Sequence, residues 1–317
     1  MENALVKRNG DREEGWMRGP RVLAAALLSL ASLSFSCASF ARSDAFTSGR
    51  PLGVVQSDSL QELSGIAAGR RNPGVLWGHN DSGEAPRIYA INEKAQLLGV
   101  CNIRGANNRD WEDIAVGPGP DPNRSCLYLG DIGDNAAKYP EIIVYRVPEP
   151  KVDAATSFGQ MTVGPADAIR LTYPDGPRDA ETLIVDPLTR DIYVISKREL
   201  VPKVYRAAYP QSLTQQTTLE QVAVLPFGMF PTGGDVSPDG QRVIVRGMFS
   251  AAIWERPANE PLWHAFSGGA KTIPLASEPQ GEAISFDRQG EGYFTISEGK
   301  HPTLYYFAPA EPNLPKQ

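Results

Sequence analysis

The sequence predicts an all-β chain folded as a β-propeller of five blades, with six as the alternative count. Three observations carry this expectation. First, a short motif recurs five times: Glu62-Leu63-Ser64-Gly65-Ile66, Asp110-Trp111-Glu112-Asp113-Ile114, Asp179-Ala180-Glu181-Thr182-Leu183, Thr232-Gly233-Gly234-Asp235-Val236 and Gln280-Gly281-Glu282-Ala283-Ile284. Second, its hydrophobic anchors, Ile66, Ile114, Leu183, Val236 and Ile284, are 48, 69, 53 and 48 residues apart, and a period near ~50 with several short strands per unit marks a propeller. Third, no stretch after residue 45 sustains a helical period. A β-sandwich would not need the motif to return in each unit.

Each unit reads alike. The motif opens a first strand, and a second follows a turn: Val75-Leu76-Trp77-Gly78, Cys126-Leu127-Tyr128-Leu129-Gly130, Ile192-Tyr193-Val194-Ile195-Ser196, Val243-Ile244-Val245-Arg246 and Tyr293-Phe294-Thr295-Ile296-Ser297. A third strand lies beyond a loop, as in Ile88-Tyr89-Ala90-Ile91 and Leu304-Tyr305-Tyr306-Phe307. β-branched and aromatic residues fill these runs, and turns such as Pro238-Asp239-Gly240 separate them. Residues 51–61 are expected to close the ring against the last blade, because an open propeller leaves bare strand edges.

The predicted domains are a leader over 1–41, a linker over 42–50, one propeller over 51–310 and a tail over 311–317. The leader holds an apolar run from Val22 to Phe35, preceded by Arg18 and Arg21, with Ser39-Phe40-Ala41 before the cut. This pattern reads as a secretory signal peptide, so the expected location is secreted or periplasmic. Cys37 raises the alternative of a lipid anchor, the one membrane contact the sequence suggests. The chain carries a formal charge of −6. Five basic against four acidic residues give the leader +1, so its removal leaves −7. An acidic chain is a poor partner for nucleic acid. Cys101 and Cys126 remain, and an oxidising compartment permits a disulfide between them; two buried thiols is the simpler reading.

Loops at one end of a propeller form its binding face. The start of one strand and the end of its antiparallel neighbour share that end. Motif residues Glu62, Asp110, Glu112, Asp113, Asp179, Glu181, Asp235 and Glu282 should therefore ring the channel mouth. His79-Asn80-Asp81, Asp131, Asp134-Asn135, Lys197-Arg198, Arg246 and Glu298 should join them. So many carboxylates repel unless neutralised. One neutraliser is Ca²⁺, which takes several oxygen ligands. Asp131, Asp134 and Asn135 on a glycine-softened loop are the expected metal ligands, together with Asp113. The other is internal pairing with Arg109, Arg178, Lys197, Arg198, Arg246 and Lys300. Candidate catalytic groups are His79, Asp81, Glu112, Glu181, Arg198 and Glu282, with His79 as general base or metal ligand. No nucleophile elbow, zinc motif or phosphate-binding glycine loop is present in the sequence.

The segments Trp77-Gly78-His79-Asn80-Asp81-Ser82-Gly83, Asp110-Trp111-Glu112-Asp113-Ile114-Ala115, Leu129-Gly130-Asp131-Ile132-Gly133-Asp134-Asn135 and Tyr145-Arg146-Val147-Pro148-Glu149-Pro150 resemble a group of uncharacterised secreted bacterial WD40-like propeller proteins. The pattern Leu63-Ser64-Gly65-Ile66 before a strand ending in Asn80-Asp81 also looks like the esterase-like phytase propellers. The second resemblance implies calcium and phosphoester chemistry, although this chain lacks a dense basic phosphate pocket. The expected function is a secreted propeller that binds a cation and a small-molecule, sugar or phosphoester ligand at its mouth. The alternatives are a metal-dependent phosphoesterase or glycosidase at the same mouth, and a scaffold with an ion-paired plug.

Overall fold

Five inner strands stand side by side around one axis: Leu63–Ala68, Trp111–Pro118, Ala180–Val185, Pro231–Val236 and Gly281–Phe286. Each packs on the next, and the fifth packs on the first, so the ring is closed. The computed structural model describes residues 41–43 and 45–310. The expected leader with Cys37, and the tail over 311–317, lie outside those residues. Among the described residues no helix is long and apolar enough to cross a membrane.

Every blade is an antiparallel meander running outward from its inner strand. The second strands are Val75–Asn80, Ser125–Asp131, Ile192–Ser196, Arg242–Gly247 and Tyr293–Ser297. The third strands are Arg87–Asn92, Ile142–Pro148, Lys203–Ala207, Ala251–Glu255 and Thr303–Phe307. The outer strands of blades 1 to 4 are Leu97–Ile103, Asp167–Thr172, Glu220–Val224 and Lys271–Ile273. Blade 5 takes its outer strand from the other end of the chain: Arg50–Val54 pairs antiparallel with Thr303–Phe307. The closing strand therefore spans five residues, shorter than the 51–61 expected.

The 69-residue interval between the second and third anchors holds no sixth blade. Its surplus makes an excursion in which Gly159–Val163 adds a parallel fifth strand outside Leu97–Ile103 of blade 1. Thr217–Thr218 does the same for blade 2 and Ala41–Arg42 for blade 4. These additions cover edges that would otherwise offer unpaired amides.

The core lies in the seams between blades. Trp77, Ile114 and Leu129 fill the seam between blades 1 and 2, and Tyr128, Val194 and Tyr205 the next. Ile184, Val245 and Trp254 join blades 3 and 4. Ile244, Phe286 and Phe307 join 4 and 5, and Leu63, Phe294 and Leu304 complete the circle. Inner and second strands are covered on both faces, which is why they read as continuous apolar runs rather than alternating ones. Cys101 and Cys126 are free and buried, on the outer strand of blade 1 and the second strand of blade 2.

Candidate metal centre at the channel mouth

A β-bulge interrupts every inner strand at one equivalent position. The pairing skips Ser64, Glu112, Glu181, Thr232 and Glu282 in turn. A bulge inserts one unpaired residue and re-aims its side chain. Here it places three glutamates, a serine and a threonine in one ring at the mouth. Ser64 Oγ donates to the Glu112 carbonyl (2.7 Å) and Thr232 Oγ1 to the Glu282 carbonyl (3.0 Å), tying neighbouring blades together. The fourth motif is thus offset from its sequence alignment. Gly234, not Val236, occupies the place of Ile66, Ile114, Leu183 and Ile284, and Thr232 takes the glutamate position.

Two carboxylate triads share Glu112. Asp81, Asp110 and Glu112 each place an oxygen within 4.8 Å of the others, and so do Glu112, Asp179 and Glu181. Clustered carboxylates of this kind could hold a metal ion. Gly133 lies against the first triad. A Cβ there would strike Glu112 Oε1 and lie 2.6 Å from Asp110 Oδ2, so the bare glycine leaves the space those oxygens face.

The electrostatics follow from burial and crowding. Burial, then the neighbouring Glu181, Asp81, Asp110 and Asp179, hold the Glu112 carboxyl well above its ordinary value. Burial pushes Glu181 up to about 8, against the pull of Lys197. Burial and then Asp81, Asp179 and Asp131 raise Asp110 to about 6. Burial followed by Glu282, Asp81 and Glu62 brings Glu298 to about 7. Burial also raises Asp81 and Glu282. Three cations answer this charge. Lys197 Nζ pairs with Glu181. Arg198 Nε lies 2.7 Å from Asp179 Oδ2 and its guanidinium donates to Asn135. Arg246 packs flat on Gly281 and pairs with buried Glu278 at 2.6 Å. Glu282 Oε2 is buried and has no hydrogen-bond partner.

Of the expected catalytic residues, the structure brings together Asp81, Glu112 and Glu181, with Arg198 beside them and Glu282 linked through Lys197. His79 stands apart. It is fully buried, not at the rim, because Gly65 opposite leaves room for the ring to tuck beneath the inner strand. Its Nδ1 donates to the Asn80 carbonyl at 2.9 Å, Nε2 has no hydrogen-bond partner, and the ring meets Trp111 edge-on. Burial lowers its pKa to about 4, so it stays neutral at pH 7.

The expected metal ligands are placed differently. Asp113 spends both oxygens on backbone amides: Ile114 N (2.8 Å), Leu183 N (2.9 Å) and Gly234 N (3.4 Å). It is a staple joining blades 2, 3 and 4. Asp235 does likewise for blade 5 through Phe286 N and Ser285 Oγ, both 2.9 Å. Asp131 accepts from Asp110 N (2.8 Å), with Arg109 Nε at 3.8 Å. Asp134 accepts from Tyr139 N (2.7 Å), and its own amide donates to Asp179 Oδ1 (2.8 Å). Asn135 is exposed and engaged by Arg198. None of these four belongs to either triad. The Asp131–Asn135 loop instead buttresses the triad residues Asp110 and Asp179. Sequence reasoning missed the bulge, the Gly133 cradle and Glu278, whose loop carries no motif.

The sequence matches no family model, and no characterised protein matches it significantly. Among solved structures, a luciferin-regenerating enzyme is similar over 79% of this chain and 92% of its own, at 11% identity and a TM-score of 0.41. A chain of a nidogen/laminin complex is similar over 74% and 72%, at 13% identity and 0.40. The Pan2 WD40 domain of Neurospora crassa is similar over 81% and 66%, at 11% identity and 0.36. None of these likenesses is close enough to carry an argument about the mouth.

Proposed function

We propose that this chain is a cation-binding propeller in which Asp81, Asp110, Glu112, Asp179 and Glu181 hold Ca²⁺ at the mouth and leave coordination positions open to an oxygen-rich ligand. One observation carries the reading: Glu112 belongs to both triads, so five carboxylates crowd one point against few cations. A hard divalent ion with oxygen ligands is the natural counter-charge, and Ca²⁺ accepts six to eight oxygens at about 2.3–2.6 Å in flexible geometry. The unpartnered Glu282 Oε2 and the Gly133 cradle supply a free acceptor and free space beside it. The test is calorimetric titration of metal-free protein with Ca²⁺, alongside Glu112→Gln. Binding in the wild type, lost in the variant, supports the site. A flat wild-type titration would leave the mouth as an ion-paired plug built on Lys197–Glu181 and Arg198–Asp179.

A second reading, metal-dependent hydrolysis of a phosphoester or glycoside, is favoured by one observation. Glu298, at about 7, lies beside Asp81 of the first triad, in the range that suits general acid–base work. A substrate panel run with and without chelator tests it, and turnover unaffected by both chelator and Glu298→Gln would remove it.

A further inference from the structure

A buried ammonium already sits among the carboxylates of the mouth. Lys197 follows the second strand of blade 3, Ile192–Ser196, and its amide donates to the Asp179 carbonyl at 3.1 Å. That bond fixes its backbone beside a triad residue. Only 14% of the side chain is exposed, and Nζ pairs with Glu181 of the second triad. Glu282 and Glu112 attract the same charge. Arg198, the next residue, is placed differently. It pairs with Asp179 and bonds Asn135, with 56% of its side chain exposed. Lys197 is therefore the cation held within the cluster, and Arg198 the cation laid over its edge.

We propose that Lys197 is a specificity-determining residue of the mouth: its tethered ammonium stands in for a monovalent ion on Glu181, so that only a cation of higher charge takes the site. The inference rests on the cation reading above and states which cations that site accepts. Charge arithmetic carries it. A sodium or potassium ion displacing Lys197 from Glu181 exchanges one unit charge for another. It gains no Coulombic attraction, sheds water to enter, and competes with a group the chain holds in place at high effective concentration. A divalent ion brings one more unit charge to the same carboxylates, and in a buried site that extra charge is strongly favourable at metal–oxygen range. The displaced ammonium also needs a partner, because a buried charge left alone is costly. Glu282 provides one. It is 7% exposed, Lys197 is the strongest charge acting on it, and its Oε2 has no hydrogen-bond partner. Passing the ammonium from Glu181 to Glu282 frees a triad oxygen and strands no buried charge.

The test is calorimetric titration of the whole chain with Ca²⁺ at pH 8, in sodium chloride and in choline chloride of equal ionic strength. Protons compete less with a metal at that pH, and bulky choline serves as the reference cation. In the wild type, Ca²⁺ affinity should be the same in both salts. In Lys197→Met, sodium can occupy the place of the ammonium, so Ca²⁺ affinity should fall by at least about threefold from choline to sodium. Lys197→Arg keeps a tethered unit charge and should again be indifferent to the salt, a rescue that a merely structural role would not produce. Wild type whose Ca²⁺ affinity falls in sodium chloride overturns the proposal without any variant. Lys197→Met as indifferent to the salt as the wild type also overturns it. In either case the Ca²⁺ binding itself leaves the cation reading intact. Ca²⁺ binding absent from the wild type and from both variants removes that reading, and the proposal with it.

Discussion

Removing one of the mouth's carboxylates should stabilise the metal-free protein. Glu112 faces Asp81, Asp110, Asp179 and Glu181, each with an oxygen within 4.8 Å. Two unit charges at that distance repel by about 3.5 kcal/mol at an effective dielectric of about 20. The protein escapes this by holding a proton on Glu112, whose pKa lies well above the ordinary value because of burial and these neighbours. Holding that proton has a definite ceiling. The gap between an ordinary glutamate pKa of about 4.3 and pH 7 is worth about 3.7 kcal/mol at about 1.36 kcal/mol per pH unit. Glu112→Gln removes the cost, so it should raise stability at pH 7 by at most about 3.7 kcal/mol, read as a higher Tm. The sign with pH is fixed. At the mouth the folded state holds more protons than the unfolded state, so the contribution of these carboxylates to stability is greatest below about pH 4 and is lost as pH rises through their folded pKa values. The advantage of Glu112→Gln should vanish below about pH 4, where the carboxyl is protonated in both states. Ca²⁺ at a hundred times its dissociation constant should add about 2.7 kcal/mol to the wild type and little to the variant. Melting curves of both proteins in EDTA and in Ca²⁺, between pH 4 and 8, measure all of this. A metal-free Glu112→Gln less stable than the wild type at pH 7, or sharing its pH slope, would refute the reasoning.

Three further outcomes are expected. Asp113→Ala strands the amides of Ile114, Leu183 and Gly234 and should cost about 3–5 kcal/mol, read as a lower urea midpoint with an unchanged slope; a loss under 1 kcal/mol would mean water replaces the carboxylate. Gly53→Leu forces a side chain against the Lys94 carbonyl, only 2.5 Å from the Cβ position, and should loosen the closing strand by about 1–3 kcal/mol, seen as faster amide exchange at Thr303–Phe307. Cys101, buried and pushed up to about 12 by that burial, and Cys126, buried and raised likewise, should resist thiol reagents in the native state and react on unfolding; rapid native labelling of Cys101 would show that the seam between blades 1 and 2 opens, and of Cys126 the seam between blades 2 and 3.

The architecture was legible because each blade repeats one physical problem. An inner strand covered on both faces must be apolar, and its mouth end must be polar, so the motif returns. The carboxylates of the mouth were legible for the same reason. The bulge was not, because an unpaired residue has no compositional mark; it became visible only when five registers could be compared. That is why the fourth motif aligns on Val236 in sequence while Gly234 holds the place in the fold. Asp113 looks no different from Glu112 in sequence, yet the bulge sends Glu112 into the mouth and leaves Asp113 to bind amides. His79 carried a polar identity at a mouth position, and only the facing Gly65 reveals why it sinks inward. The outer excursions were hidden too, since Gly159–Val163 pairs with a strand some sixty residues earlier and shows no local sign of its destination.

The closing strand sets a timetable for synthesis. Arg50–Val54 pairs with Thr303–Phe307, and close by Thr47 N donates to the Ala308 carbonyl and Ala310 N to the Ala45 carbonyl. Ala41–Arg42 waits for Lys271–Ile273. Both segments are made before their partners in blades 5 and 4. At about 5–20 residues per second, they stay unpaired for roughly 12–50 seconds while the chain between them is made. The circle cannot shut before Thr303–Phe307 has been made, and until then its edges stand open to any strand that comes near. A ring joined this way closes only once its fifth blade exists, which makes holding the newborn polypeptide apart from its neighbours a condition of its assembly.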